Sequence, residues 1–321
     1  NEWRAQLRDT PDDTFADLQL ARALGAGGDL PGAIERLQTL TQRDANDPRA
    51  WFELGKFSIL QGQAQRAVDE HLVRALVLYK RSGNRFGEAE TVNALGIGYN
   101  RLGQVDDAEQ QYRAAVELRR AVGNRRGLAT SLRNLASVLS TRGRYAEAAT
   151  TLESARALHA ELGDRGGLAA VENELGLLDE ERGDYRAALE AFRRAIVERF
   201  ASGRGAVAMH HALAGWADWP EWHDMLGGRF LYTPGEVRGV PQLDSGYRHD
   251  VEYTASVVAD HPVTAGIPRE FTVTDELYLA EIFEAEVEPL VRSDYGFTRD
   301  NFYSAALGIS GTLYSREGWD H

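Results

Sequence analysis

One spacing recurs five times along the first two thirds of the chain and constrains its fold more than any other feature. In each unit a leucine precedes a small residue, a glycine follows eight positions after the leucine, an alanine five later and a larger residue four after that. The five sets are Leu20, Ala21, Gly28, Ala33, Leu37; Leu54, Gly55, Gly62, Ala67, His71; Leu95, Gly96, Gly103, Ala108, Tyr112; Leu135, Ala136, Gly143, Ala148, Leu152; and Leu175, Gly176, Gly183, Ala188, Phe192. Successive glycines lie 34, 41, 40 and 40 residues apart, a period typical of stacked helical hairpins.

Each position in the unit has a packing role. Two antiparallel helices approach closely only where one side chain is small, so Gly96 on the first helix and Ala108 on the second mark a predicted contact. The turn glycine ends the first helix because it enters the left-handed conformation at little steric cost. A second glycine separates one unit from the next, at Gly83, Gly123, Gly163 and Gly203.

These units resemble the tetratricopeptide repeat (TPR), and the resemblance covers residues 12–203. The first unit is similar to the 34-residue form of the repeat, and the last three are similar to a longer, 40-residue form. Two positions depart from the pattern: His71 stands where other units have a larger apolar residue, and Asp179 stands where Tyr99 and Leu139 do. The resemblance implies a right-handed α-solenoid of about five helical hairpins.

Composition changes near residue 203. Residues 1–203 carry 28 Lys and Arg against 30 Asp and Glu, whereas residues 204–321 carry 8 against 19. The repeat markers also stop there, so we predict a repeat domain at 1–203 and a second domain at 204–321. The net charge of -13 argues against nucleic acid or an anionic membrane as the main partner. No run of 18 apolar residues occurs, so no membrane span is predicted.

The chain has no cysteine, which excludes disulfides, thiolate catalysis and cysteine-ligated zinc. Histidines do not occur at a metal-ligand spacing such as His-x-x-x-His, so we predict no metal and no cofactor. No signal peptide precedes the repeats, and we expect a cytoplasmic protein.

The second part has the pattern of an α/β domain. The small apolar run from Gly205 to Met209 predicts a buried strand, alternation from Val251 to Val257 predicts another, and Phe271 with Val273 predicts a third. Six prolines after residue 203 interrupt any long helix, which favours chemistry carried by loops.

Several motifs here resemble the ThuA-like family, named for trehalose utilisation and built on the class I glutamine amidotransferase fold. They are Gly205 to Met225 with its His210-His211 pair and three tryptophans, Gly227-Gly228-Arg229-Phe230, Tyr247-Arg248-His249-Asp250, His261 to Gly266, and Asp275-Glu276-Leu277-Tyr278. The resemblance covers residues 199–321, the middle of that family's domain. It implies an incomplete α/β domain with a flavodoxin-like sheet, preceded by repeats in place of the family's opening strand and helix.

The resemblance also places His210 and His211 where an amidotransferase carries its nucleophilic cysteine, so amidotransfer by a thiolate is excluded. An imidazole there could act as general base, ligand or partner of a sugar hydroxyl, or be a buried, hydrogen-bonded histidine. Only one of the two would face a pocket, because neighbours on a strand point to opposite sides. Asp275 and Glu276 are further catalytic candidates, with an acidic helix start as the alternative.

Substrate-binding candidates cluster in the same motifs. Trp216, Trp219 and Trp222 are spaced so that a helix would gather them on one side, as a carbohydrate-stacking platform or as core packing. The remaining candidates are Arg229, Tyr247, His249 and Tyr278.

Polar residues around the packing positions of the first helices predict a concave peptide-binding groove. They are Asn93, Asn100, Arg101, Arg133, Asn134 and Asn173. Asparagines at 93 and 173 suggest a ladder of amides offered to the backbone of an extended peptide, with a solvated helix face as the alternative.

Three interpretations of function follow. The leading one is a protein-interaction scaffold that binds a protein or peptide in the TPR groove and carries a ThuA-like segment with a carbohydrate-related role. The second is a carbohydrate-modifying or sugar-binding protein with the repeats as a regulatory or assembly module. The third treats the two parts as unrelated fragments joined near residue 203. Enzymatic activity stays open.

Overall fold

The computed structural model describes residues 2–10, 12–203, 216, 218–283, 285–296 and 298–304. The chain divides into two compact units, Asn1–Arg204 and Gly205–His321. The first unit is helical, and the second consists mainly of strands and loops where it is described. No helix in the described ranges is long and apolar enough to cross a membrane.

Five helical hairpins make up most of the first unit, preceded by the short helix α1 (Glu2–Asp9). The hairpins are α2 (Thr14–Ala26) with α3 (Leu30–Arg43); α4 (Pro48–Leu60) with α5 (Ala64–Arg66), a π-helical turn (Ala67–His71) and α6 (Leu72–Arg81); α7 (Arg85–Arg101) with α8 (Val105–Ala121); α9 (Arg125–Thr141) with α10 (Tyr145–Glu161); and α11 (Arg165–Glu181) with α12 (Tyr185–Ala201). This arrangement confirms the predicted solenoid.

Polar caps and left-handed glycines determine where these helices begin and end. Asn124 Oδ1 accepts the backbone N–H of Gly127 at 2.9 Å at the start of α9. Caps of this kind satisfy N–H groups that lack a partner within the helix. Between α7 and α8, Gly103 has a φ of 72°, a conformation that costs glycine little because it has no Cβ. The spacing predicted this role for the turn glycine.

Small residues bring the paired helices into contact. A Cβ at Gly96 would lie 2.6 Å from Cε1 of Tyr112, so only glycine lets α7 pack directly on that ring. Tyr112 is buried in a core cluster with Leu135, Leu139 and Leu152. The core therefore continues from the third hairpin into the fourth, as expected for stacked repeats.

The π-helical turn takes up an extra residue in the second hairpin. Gly62 and Gly103 are 41 residues apart, whereas the next two intervals are 40. A Cβ at Gly55 would lie 2.6 Å from Cγ of Leu72, just as a Cβ at Gly96 would meet Tyr112. Leu72 therefore occupies the place that the sequence pattern assigned to His71, and the predicted alignment was wrong there by one residue.

His71 is the residue that the wider turn accommodates. It is buried, with Nδ1 3.2 Å from Ser58 Oγ and Nε2 3.8 Å from a carboxylate oxygen of Glu70. Burial lowers the pKa of the His71 imidazole, and the charge of Glu70 offsets part of this effect. At the other departure from the pattern, the half-buried carboxylate of Asp179 lies 3.4 Å from the guanidinium of Arg182.

In the second unit, α13 (Pro220–Leu226) is followed by short strands and one long hairpin. The strands are β1 (Gly228–Arg229), β2 (Gly235–Val237), β3 (Val240–Gln242), β4 (Gly246–Val257), β5 (Glu270–Leu279), β6 (Glu281–Ile282), β7 (Val291–Ser293) and β8 (Tyr303–Ser304). The largest sheet has the order β5-β4-β7, and β8 also pairs with β4. Strands β4 and β5 confirm the two predicted from alternation.

Every strand pair among the described residues is antiparallel, which differs from the parallel sheet of a flavodoxin-like fold. A parallel pair needs a crossover connection, usually a helix. Residues 258–269 join β4 to β5 with a single 3-10 turn, Pro262–Thr264, so the chain folds straight back. The predicted strand from Gly205 to Met209 lies outside the described residues.

Candidate functional site

A groove at the end of the helical array gathers polar and charged side chains over an apolar floor. It encloses a cavity of 420 Å³ between α9, α11 and α12. Arg133, Asn173, Glu174 and Arg199 supply its polar groups. Its apolar lining consists of Ala169, Ala170, Phe192, Ala195 and Ile196.

The charges in this groove are incompletely compensated. Burial raises the pKa of the Glu174 carboxyl, and the nearby charge of Arg133 opposes that rise. Arg199 is exposed, and its guanidinium forms no ion pair with any described residue. A ligand that brings a carboxylate to Arg199 would therefore satisfy a group that the described residues leave to solvent.

Asn93 does not face an open groove. It is 6% exposed, and its Oδ1 accepts hydrogen bonds from Ser131 Oγ at 2.8 Å and from Asn134 Nδ2 at 3.4 Å. The amide therefore joins α7 to α9. Asn173, at the matching place on α11, is exposed and lines the cavity, so the two asparagines that suggested a ladder serve different roles.

The other predicted groove residues are spread over two hairpins. Arg133 lines the cavity, and Asn134 is half-buried beside Asn93. Asn100 and Arg101 are at the end of α7 and are not part of the cavity lining. The structure therefore brings together Arg133 and Asn173 of the six candidates.

In the second unit, four predicted site residues lie on one face of the β4–β5 hairpin. Tyr247 pairs across the strands with Tyr278, and side chains two residues apart on a strand share a face. His249 Nδ1 lies 2.9 Å from Glu276 Oε1, and the Tyr278 hydroxyl donates to Glu276 Oε2. One carboxylate thus orients an imidazole and a phenol, an arrangement that can hold sugar hydroxyls or move a proton.

Asp275, by contrast, lies on the opposite face of β5 from Glu276. Its Oδ1 accepts the backbone N–H of Glu276 at 2.8 Å. Both acidic residues are within a strand, so the alternative of an acidic helix start does not apply. His210 and His211 lie outside the described residues.

The three tryptophans form a compact cluster. Ring centroids of Trp216 lie 5.0 Å from Trp219 and 4.8 Å from Trp222. They are not on one helix, because α13 begins only at Pro220 and Trp216 has a φ of 48°. Trp219 is buried, whereas Trp216 is 41% exposed and is the most exposed of the three.

His223 follows Trp222 in α13, and the charge of Arg229 acts on it. The Arg229 guanidinium donates to the backbone carbonyl of Glu236 at 3.0 Å. His223, which the sequence analysis did not single out, is 3% exposed. Burial, together with the charge of Arg229, lowers the pKa of His223. The sequence could have suggested His223 as a site residue, because it lies two residues after Glu221 in a tryptophan-rich motif.

Three family models match the first unit over residues 18–84, 89–123 and 127–196, and each is described as tetratricopeptide repeat. The first unit is a TPR array. TPR units bury their hydrophobic faces against one another and expose an extended surface for binding. The array therefore supports a role as a protein-interaction scaffold.

Solved structures of helical-repeat proteins are similar to the first part of the chain. A Podosopora anserina protein with nearly identical TPR-like repeats is 20% identical with a TM-score of 0.50, and the match covers 62% of this chain and 97% of that one. MamA from Desulfovibrio magneticus RS-1 is 17% identical with a TM-score of 0.46, over 60% and 98%. No curated protein sequence matches the chain.

A ThuA model, described as trehalose utilisation, matches residues 177–304. This match begins in α11, so residues 177–196 match both the ThuA model and the last TPR model. The resemblance from sequence began later, at residue 199. Helix α12 is thus the last helix of the TPR array and is also part of the ThuA match.

Two residues of the TPR groove escaped the sequence analysis. Glu174 is next to the predicted Asn173, but acidic residues are frequent on solvated helix faces. Arg199 lies 40 residues after His159 and 80 after Arg119. That period was a usable signal, because all three residues occupy the same place in successive TPR hairpins.

Proposed function

We propose that the protein is an interaction scaffold that binds a polypeptide partner in the groove between α9, α11 and α12. The observation that carries this proposal is the cavity of 420 Å³ with Arg199 and Glu174 at its walls. An apolar floor with a few placed polar groups is the usual composition of a binding site.

The partner then binds at the end of the array and not along an amide ladder. Asn93 is buried inside the solenoid and bonded to Ser131, so its amide is not available to a peptide in the groove. Asn173 and Arg199 remain exposed, so they are available to hydrogen-bond a partner's backbone or carboxylates.

A photo-crosslinking residue tests the location. We expect the full chain carrying benzoylphenylalanine at Asn173 to form discrete adducts with a partner in cell extract. The same residue at Thr150, exposed on α10, is the matched control. The Asn173 adducts should disappear when Ala195→Trp fills the groove floor. Equal labelling at both positions, or adducts that survive Ala195→Trp, would contradict the proposal.

A second candidate function, sugar binding by the second unit, is favoured by the His249–Glu276 pair. A carboxylate, an imidazole and a phenol close together supply donors and acceptors for vicinal hydroxyls. Trp216, which is 41% exposed, is a separate candidate for stacking on a sugar ring. The ThuA description, trehalose utilisation, makes a disaccharide the first ligand to examine.

Calorimetry with trehalose tests this second candidate. We expect Glu276→Gln to abolish the binding heat, because an amide keeps only one acceptor oxygen and cannot hold both His249 and Tyr278 as the carboxylate does. Asp275→Asn, on the opposite face of the same strand, should leave the heat unchanged. If the two variants behave alike, or if the parent chain gives no heat, the sugar-binding hypothesis is wrong.

A further inference from the structure

One place recurs at the end of the second helix in four hairpins. Its residues are Tyr79, Arg119, His159 and Arg199, and successive members are 40 residues apart. The first three are 6%, 3% and 4% exposed, whereas Arg199 is exposed. Each of the first three is covered by the first helix of the hairpin that follows it.

The covering helix makes room for this residue in the same way each time. Its third residue is Gly87 in α7, Gly127 in α9 and Gly167 in α11. A Cβ at Gly127 would lie 2.9 Å from Nε of Arg119, and Cβ atoms at the other two glycines would run into the rings of Tyr79 and His159. Glycine at the third position is therefore required for this contact.

Polar groups of the covering helix then satisfy the residue beneath. Arg119 donates to the backbone carbonyl of Gly127 at 2.5 Å and to Ser131 Oγ at 2.8 Å. In the next hairpin, His159 Nδ1 lies 3.1 Å from Oδ2 of Asp164, the N-cap of α11. A buried cationic or imidazole side chain is thus matched by the N-terminal turn of the helix that covers it.

The sequence after α12 does not repeat these features. The positions that correspond to the N-cap Asp164 and to Gly167 hold Arg204 and Val207. Arg119 is also paired with Glu90 at 2.8 Å, but the corresponding residue of α11 is Ala170. Neither the cap, the glycine nor the carboxylate that would satisfy Arg199 is therefore present at its expected sequence position.

We infer that the groove accepts the N-terminal half of an α-helix from a partner protein, with an aspartate at the N-cap and a glycine at the third helical position. This inference rests on the proposed function and names the element that the partner contributes. The N-cap carboxylate pairs with Arg199, as Asp164 does with His159. The glycine packs against the Arg199 side chain near Nε, as Gly127 packs against Arg119.

The floor of the groove fits the apolar side of such a helix. Phe192, Ala195 and Ile196 correspond to Tyr112, Ala115 and Val116, which are buried. Leu128 and Leu132 of α9 belong to the same core cluster as Tyr112 and Val116. The partner helix therefore carries an apolar residue at its fourth position and another at its seventh or eighth, where α9 has Leu128 and Leu132 and α11 has Leu168 and Val171.

The test uses a fluorescent synthetic peptide with the sequence of residues 164–181, which has the Asp cap, the glycine and an acidic composition. Its binding to the full chain is measured by anisotropy. We expect binding to weaken about tenfold, roughly the contribution of one charge-assisted hydrogen bond, when Arg199→Ala is introduced. Asn173→Trp, which adds bulk to another residue of the cavity lining, should also weaken it, and Arg101→Ala should not.

A second peptide with Gly167→Leu keeps the charge and the cap but adds bulk at the third position. It should bind at least about tenfold more weakly. Equal binding of the two peptides, or no effect of Arg199→Ala in a variant with unchanged circular dichroism, would overturn the inference. Self-association of the unlabelled chain that Ala195→Trp abolishes would identify a second copy as the occupant and would also overturn it. If no peptide binds while Asn173 still crosslinks a partner, the scaffold proposal stands and only the helical mode is wrong.

Discussion

At the scale of single residues, the same side chain has opposite surroundings at two places in the array. Arg119 is buried and bonded to Glu90, Ser131 and Gly127, whereas Arg199 is exposed. Burial also lowers the pKa of Arg119, against the opposing charge of Glu90. The two arginines occupy equivalent places in their hairpins, so their roles depend on position in the array and not on residue type.

Glu174 provides a prediction about the groove. Burial raises its folded pKa above the unfolded value, so the ionised carboxylate lowers stability at neutral pH, and this loss disappears as pH falls through the folded pKa. We expect Glu174→Gln to raise the free energy of unfolding at neutral pH by a few tenths of a kcal/mol, because the group is only partly buried.

Urea unfolding followed by circular dichroism at neutral and acidic pH measures this effect. The gain should vanish in acid, where the parent carboxyl is protonated. Glu180→Gln, exposed on the same helix, is the control and should change neither value. A Glu174→Gln chain that is less stable than the parent at neutral pH would show that the carboxylate has a stabilising partner.

His71 provides a second prediction, with the opposite sign. Its folded pKa is lowered by burial, so the stability it contributes is present above the unfolded pKa of about 6.5 and is lost as pH falls toward the folded pKa. We expect the parent chain to lose more thermal stability than His71→Gln between mildly alkaline and mildly acidic pH. Parallel melting curves at both pH values for parent and variant would refute this.

At the scale of elements, the π-helical turn explains why one period is longer than the others. The turn lets Ala67 and Leu72 both face the core, although five residues separate them instead of the four that separate Ala108 from Tyr112. Sequence spacing alone could not show which residue was extra, because both His71 and Leu72 are bulky. The contact between Leu72 and Gly55 decides it.

A deletion pair tests the assignment. Removing His71 should convert the turn to a regular α-helix and leave Leu72 in place, at a cost of about 1 kcal/mol for the lost hydrogen bond to Ser58. Removing Tyr112 should be far worse, because every later core residue of α8 turns by about 100°. Guanidinium unfolding compares the two. Equal destabilisation would mean that His71 is not the inserted residue.

The second unit shows what local patterns predict and where they fail. Alternation from Val251 to Val257 predicted β4 correctly because it reflects one strand and its buried face. Whether strands pair parallel or antiparallel depends on a distant partner, and the antiparallel β4–β5 pairing did not follow from that alternation. The pairing of His249 with Glu276 is a result of this register, although both residues were already candidates from motifs.

At the scale of the whole molecule, the TPR array was predictable because its determinants repeat in sequence and act between neighbours. The groove was less predictable from the sequence. Arg133 and Asn173 were found as polar residues beside packing positions, whereas the exposure of Arg199 became meaningful only beside its buried counterparts Arg119 and His159. This difference in exposure depends on which hairpin is followed by another hairpin, and it cannot be read from any single residue.

Because the last three hairpins share one period, we expect one to be removable. Deleting residues 124–163 joins Gly123 to Asp164, so Arg119 meets Asp164 and Gly167, groups that already serve His159 in the parent. The product should fold cooperatively with four hairpins and a smaller m-value. Deleting residues 128–169 instead turns the core face of the fused helix by about 200° and should prevent folding. Aggregation of both products would argue against interchangeable hairpins.

The widened turn at Ala67–His71 bears on how such arrays diverge. One inserted codon in a helix normally rotates everything downstream out of register, yet here the backbone absorbs it within a single turn. An array of this kind can therefore hold one extra residue in a helix without losing its packing, and a glycine interval one residue longer than its neighbours indicates where to look for such a turn.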